Sequence, residues 1–172
     1  MRIDICALFP AILDSYLSHR LIEQAVDEHL LAINTYSFRE FDAVGTGPVV
    51  HGCGGKLLRD EPVIECAKHV QQEDAQPAHL VMLTPHGRPF SQAVAHELAD
   101  KSRLIFLCGR FGGFEQSVTD CLQPDEISIG DFVLNGGEIA ALVILDTIIR
   151  VVPGIIGERH APAKLAQLPL VN

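Results

Sequence analysis

No apolar stretch in this sequence approaches the ~18 residues that a membrane-spanning helix requires. A transmembrane protein is therefore not expected. The opening Met1-Arg2-Ile3-Asp4-Ile5-Cys6 is too short and too acidic for a secretory signal. Cysteine is scarce and unpatterned. The five residues make an odd number without a CxxC pair, which excludes a disulfide framework and points to a reducing cytosol. Positive charge is in deficit, with 13 Lys+Arg against 22 Asp+Glu and a net charge of −9. Broad phosphate neutralisation is driven by Lys and Arg, so wholesale coating of nucleic acid is disfavoured. Internal repeats and low-complexity segments are absent.

Common site signatures are missing as well. Gly55-Lys56 resembles the end of a phosphate-binding loop, but Val50 and Leu57 stand where Gly and Ser/Thr are needed. Gly109, Gly112 and Gly113 have the wrong spacing for a dinucleotide fingerprint. No GxSxG occurs. His51-Gly52-Cys53 finds no CxxC or HxxxH to complete a zinc site, so no metal is expected.

What is present is a chain of 172 residues, 48% hydrophobic and 20% charged. That fits one globular domain with a sizeable core. Ile3 to Phe9 reads as a buried strand ended by Pro10, Ala11 to Leu30 as a helix, and Leu31 to Phe38 as a second strand. Asp42 to Gly55 is glycine-rich and reads as a loop. Glu61 to Glu73 reads as a helix, His79 to Leu83 as a strand, and Pro89 to Asp100 as a helix. Arg103 to Cys108 is a continuous strand, and Ile127 to Leu134 is a strand and turn. Glu138 to Val152 is an apolar helix ended by Pro153-Gly154. Strands alternating with helices predict an α/β fold with a mostly parallel sheet.

Three strand-end turns carry glycine or proline: Leu83-Thr84-Pro85-His86-Gly87-Arg88, Cys108-Gly109-Arg110-Phe111-Gly112-Gly113, and Ile129-Gly130-Asp131 through Glu138. Ligands of open α/β sheets sit outside the carboxyl ends of the strands. Glycine there lets backbone N–H and C=O groups approach a ligand. Three such turns together predict a site that grips a flat, polar-edged molecule by main-chain atoms.

The order LTPHGR, CGRFGG, SIGDFVLNGGE and RVVPGIIG, with IDICALFP and HGCGGKLL before it, resembles the bacterial tRNA (guanine-N1)-methyltransferases of the SPOUT class over residues 1 to about 157. The resemblance implies a SPOUT-type α/β domain with a C-terminal trefoil knot, a cytoplasmic homodimer, and S-adenosylmethionine as cofactor. Knots are too rare for general folding rules to suggest one. Carried over, the cofactor pocket would use Leu83, Pro85, Gly109, Ile129, Gly130, Phe132, Leu134, Gly136 and Gly137. His51, Gly52, Lys56, Arg110 and Asp131 would face the acceptor, and Arg150 matches the family's catalytic arginine. Asp146 lies four residues before Arg150, the right spacing for a competing ion pair.

Departures from the family pattern shape the remaining expectations. Gly112 stands where the family has a glutamate tied to magnesium, and Gln116-Ser117 replace Glu-Arg. The family's linker aspartate, its base, has no counterpart between Glu158 and Lys164. His160 and Glu158 are the nearest candidates for that role. The family's helical tRNA-binding domain has no counterpart in the tail, residues 158–172. These features predict one domain, 1–172, methylating a small or compact nitrogen nucleophile. The alternatives are tRNA guanine methylation with a partner supplying the RNA grip, and a non-catalytic binder of the cofactor.

Overall fold

The computed structural model describes residues 1–52 and 55–156. In chain order its elements are β1 (Arg2–Ala7), α1 (Asp14–Leu17), α2 (Arg20–Asp27), β2 (Ala32–Ser37), β3 (Val49–Gly52), β4 (Gly55–Leu58) and α3 (Asp60–Gln72). They continue with β5 (His79–Pro89), α4 (Gln92–Ala99), β6 (Arg103–Cys108), α5 (Gln116–Leu122), β7 (Asp125–Ser128) and α6 (Gly137–Ile149). Five strands form one parallel sheet in the order β2-β1-β6-β5-β7, while β3 and β4 pair as a separate antiparallel hairpin.

Period-two alternation explains why this sheet is covered twice. Ile3, Ile5, Leu104, Phe106, Val81 and Leu83 face one side, where α2, α4 and α6 supply Ile22, Leu98, Ile144 and Ile148. Cys6, Ile105, Leu107 and Met82 face the other, against Val63, Cys66 and Val70 of α3 and Val118 of α5.

Among the described residues, three charged groups are buried: Asp4, Arg103 and Glu138. Arg103 opens β6, is fully buried, and donates to Asp4 Oδ2 at 3.1 Å. It also donates to the carbonyls of Gln71 and Gln76, both at 3.2 Å, and to that of Val70. Gln71 and Gln76 offer acceptors at and beyond the end of α3, while the Val70 carbonyl also accepts from the Glu73 N–H at 3.3 Å, so the guanidinium acts as a side-chain cap. Asp4 in turn accepts from Arg2 at 2.9 Å and from Asn34 at 2.8 Å.

β5 and β7 are joined in an unusual way. Ile127 pairs with Leu83 and again with Arg88, with a register shift between them. A Cβ on Gly87 would lie 2.4 Å from the Ile127 nitrogen. Residues 84–87 therefore pass hard against β7. Arg88 fixes the return by donating to Asp125 at 2.8 and 2.6 Å and to Glu97 at 2.9 and 3.0 Å.

The Arg88 hydrogen bonds hold the Asp125 carboxyl below its usual range, opposed by burial and assisted by His79 at 3.0 Å. A lowered folded pKa stabilises the fold above the unfolded value near ~4, and the contribution fades as pH falls through the folded value. Arg88→Met is therefore expected to lose about 1–3 kcal/mol at pH 7, with the gap to the parent chain narrowing at pH 3. Urea unfolding at the two pH values checks this; an equal gap at both would contradict it.

Several sequence expectations are corrected. The predicted helix Ala11 to Leu30 breaks into a short turn, α1 and α2, because His19 takes an extended conformation and its ring accepts from the Leu21 N–H at 3.4 Å. The predicted loop 42–55 contains β3 and leads directly into β4, since Val49-Val50 and Leu57-Leu58 flank the glycines and pair. β5 runs to Pro89 instead of ending at Leu83, and α4 starts at Gln92, after Ser91 caps the Val94 N–H. β7 begins at Asp125 and ends at Ser128, earlier than the span 127–134. α5 was not expected from the sequence and is a seven-residue helix.

Candidate functional site

The ends of β5, β6 and β7 open onto one cleft of about 500 Å³, within the ~300–1,000 Å³ usual for small-molecule sites. Its walls are the three turns singled out in the sequence. Leu83 and Pro85 come from the first, Gly109 from the second, and Ile129, Gly130, Phe132, Leu134, Gly136 and Gly137 from the third. The nine positions named for the cofactor thus share one cavity. Among the described residues, only Arg110 and Glu126 bring formal charge to its lining, beside hydroxyls of Thr84, Thr119 and Ser128. Glu126 and Thr119 were not singled out in the sequence. They belong to the shifted start of β7 and to the unexpected α5, so no spacing signal marked them.

The second and third turns are bolted together. Gly137 donates to the Gly109 carbonyl at 2.6 Å, and Arg110 bridges to Gly136. Arg110 also pairs with Glu138 at 3.4 Å. Glu138 is 1% exposed, and its Oε1 has no hydrogen-bond partner among the described residues. That carboxylate therefore leans on Arg110 alone for compensation, and holds it at the cleft wall. Burial, followed by the Glu138 charge, pushes the Cys108 thiol well up. Cys108 stays protonated and is no nucleophile.

The β3–β4 hairpin forms the rim. Gly112 donates to the Lys56 carbonyl at 2.8 Å, and Leu58 to the Gly113 carbonyl at 2.9 Å. A Cβ at Gly112 would lie 2.8 Å from Leu57 Cδ2 and 3.0 Å from that same carbonyl. The family's glutamate would not fit at 112 without moving the hairpin, so hairpin position and the Gly112 departure belong together. Lys56 stands over the Phe111 ring at 5.8 Å. His51, Gly52 and Lys56 lie on this hairpin; His51 and Lys56 are outside the lining of the cleft, and Asp131, in the third turn, is outside it too. Of these proposed acceptor contacts, Arg110 alone is among the described residues that line it.

Arg150 is placed elsewhere. It follows the last turn of α6, whose first turn touches the cleft, so roughly 20 Å of helix separates the two. The expected pairing with Asp146 is not formed; Asp146 accepts from the Tyr16 hydroxyl at 2.5 Å. Glu158 and His160 lie outside the described residues.

The geometry agrees with comparisons to known proteins. The model of the family described as tRNA (guanine-1)-methyltransferase TrmD matches residues 1–164. The chain belongs to that family. A tRNA (guanine-N(1)-)-methyltransferase from Rhodopirellula baltica is 41% identical, over 94% of this chain and 69% of that protein. One from Dehalococcoides mccartyi is 43% identical, over 91% of this chain and 65% of its own length. The crystal structure of the tRNA (m1G37) methyltransferase from Aquifex aeolicus superposes with a TM-score of 0.82 at 31% identity, covering 92% of this chain and 72% of that one. The chain spans about two thirds of the length of these family relatives. The names of these relatives give tRNA as their acceptor, not the compact nitrogen nucleophile expected from the sequence. The family and these relatives are described as methyltransferases. No helix among the described residues is long and apolar enough to cross a membrane.

Proposed function

We propose that this chain transfers a methyl group from S-adenosylmethionine to a guanine nitrogen of tRNA. The observation that carries the reading is the convergence of three strand-end turns on one cleft, in a chain of this family. The residues present fit the cofactor. The cleft has room for an adenosyl group, offers apolar contacts from Leu83, Ile129 and Leu134, and presents main-chain atoms at Gly109 and Gly130. Among the described residues, Glu126 supplies the one carboxylate in the lining, suited to a positive sulfonium. When bound, the cofactor supplies an electrophilic methyl carbon.

The protein then has three tasks. The turns align donor and acceptor for in-line displacement. Arg110, held by Glu138 at the wall, orients the acceptor. A base takes the N–H proton of the ring, and the sequence candidates for it are Glu158 and His160. Arg150 would stabilise negative charge developing on the acceptor, yet it lies too far from the cleft of its own chain.

A second copy resolves that distance. Ile139, Val143 and Arg150 share one face of α6 by helical spacing, and Ile139 and Val143 are 48% and 43% exposed. Phe132 and Val133 add exposed apolar surface beside the cleft. An isologous dimer across this face would bring Arg150 toward the partner's cleft. The C-terminal trefoil knot enters this reading from the family resemblance alone. Four described cysteines are free, three of them buried, which suits a cytoplasmic protein.

Incubation with methyl-labelled cofactor and unmodified tRNA transcript, followed by nucleoside mass spectrometry, tests the assignment. Labelled 1-methylguanosine is the expected product. Cofactor binding without transfer to tRNA would overturn it. Arg150→Ala should lower kcat at least ~100-fold while leaving cofactor affinity unchanged.

A further inference from the structure

From Arg110 the cleft continues outward along a ladder of cations and rings. The Arg110 guanidinium carbon lies 4.7 Å from the centre of the Phe9 ring, and that of Arg39 lies 4.9 Å from the same centre. Phe9 therefore carries two guanidinium groups. Arg110 lines the cleft, whereas Arg39 is exposed beyond it. Lys56 extends the cleft on another side through Phe111, whose ring Arg110 also approaches at 6.0 Å. Phe111 has φ +61 and is 44% exposed, a strained backbone that keeps a phenylalanine ring in water.

Arg39 is not a loose surface residue. It sits in the short turn Phe38–Phe41, and its N–H donates to the Ser37 hydroxyl at 3.3 Å. The neighbouring Phe38 is fully buried, edge-on to Phe114 at 6.4 Å. Phe114 itself lines the cleft, so the turn and the cleft are packed on the same ring. Among the described residues Arg39 and Lys56 form no ion pair, whereas Arg2, Arg59, Arg88 and Arg103 all do. In a chain of net charge −9, two unneutralised cations held on rings at one cleft mouth are a local reversal of sign.

We propose that Arg39, stacked on Phe9 beside Arg110, contacts a backbone phosphate of the RNA strand that leads into the cleft, with Lys56 gripping the strand near Phe111. A guanidinium fixed on a ring has already lost rotamer freedom, so it can bind a phosphate oxygen with little further ordering cost. The inference rests on the proposed tRNA acceptor and supplies an RNA grip built from this chain's own residues.

The test is the salt dependence of binding to unmodified tRNA transcript. Each phosphate contact adds about 0.7–0.9 to the slope of log affinity against log salt. Arg39→Gln should lower that slope by about this amount and weaken binding several-fold at moderate salt. Phe9→Leu should weaken binding less, by releasing Arg39 without removing it. Lys101→Gln should leave the slope unchanged, because Lys101 precedes β6 at the opposite end of the sheet. Calorimetric affinity for S-adenosylmethionine should match the parent chain in Arg39→Gln, which shows that the fold is intact. A parent-like slope in Arg39→Gln, with the parent chain binding tRNA, overturns this inference alone. Absence of tRNA binding by the parent chain at every salt concentration overturns the acceptor assignment and this contact with it.

Discussion

Arg103→Leu is expected to cost about 3–5 kcal/mol of stability, the scale for breaking a buried ion pair from one side. For a domain of this size that lowers the melting temperature by roughly 10 °C. Two debts arise at once. Asp4, fully buried, keeps Arg2 and Asn34 but loses the guanidinium at 3.1 Å. The carbonyls of Gln71 and Gln76 lose the guanidinium donor, while that of Val70 keeps only the Glu73 N–H. The double variant Asp4→Leu/Arg103→Leu separates these causes. Apolar replacement of both charges commonly restores stability when charge pairing is all that matters. Here the Gln71 and Gln76 carbonyls would still lack the guanidinium, so recovery should be less than half. Full recovery of the melting temperature in the double variant would show that Arg103 serves Asp4 only.

Arg103 also marks where sequence reading reached its limit. The strand Arg103 to Cys108 was legible to the residue, because an unbroken apolar run means a strand covered on both faces. Nothing in RLIFLC revealed that its one charged member is the most deeply engaged side chain. That fact depends on α3, more than thirty residues earlier, ending above it. The hairpin from Val49 to Leu58 was hidden for a related reason. Its glycines announce a turn, but pairing of two four-residue strands is a tertiary event with weak local signal. α5 was masked by Gly109 to Gly113 just before it and by a short, barely amphipathic span.

The site was more legible than the fold around it. Backbone-lined clefts need glycine at fixed places, and glycine is visible in any sequence. The turns at 83–88, 108–113 and 129–138 were therefore found together, and the structure gathers them at one cavity. What escaped notice was Phe9 with Arg39. The two lie thirty residues apart, in segments that read as ordinary strand ends, and only the parallel pairing of β1 with β2 brings them together. The preference for a compact acceptor came from the departures from the family pattern together with net charge, and the latter is a whole-chain quantity. Local charge at the cleft mouth has the opposite sign, and a local field decides what binds there.

Gly137→Val is expected to reduce affinity for S-adenosylmethionine at least ~100-fold, about 2.7 kcal/mol. The reason is steric. A Cβ at 137 would stand 2.8 Å from the Cys108 Cα and 2.9 Å from the Gly109 nitrogen. Both are main-chain atoms of a buried strand end, so neither can rotate away. The start of α6 must retreat, which breaks the 2.6 Å hydrogen bond from Gly137 to Gly109 and parts the second turn from the third. Arg110 then loses its bridge to Gly136 and its grip on Glu138. Gly137→Ala demands the same displacement with less bulk behind it, so its loss should be intermediate. Calorimetric titration of both variants measures the series, with circular dichroism showing whether the helices persist. Parent-like cofactor affinity in Gly137→Ala would mean that the contact between α6 and β6 does not shape the cleft, and that its walls are set by the loops alone.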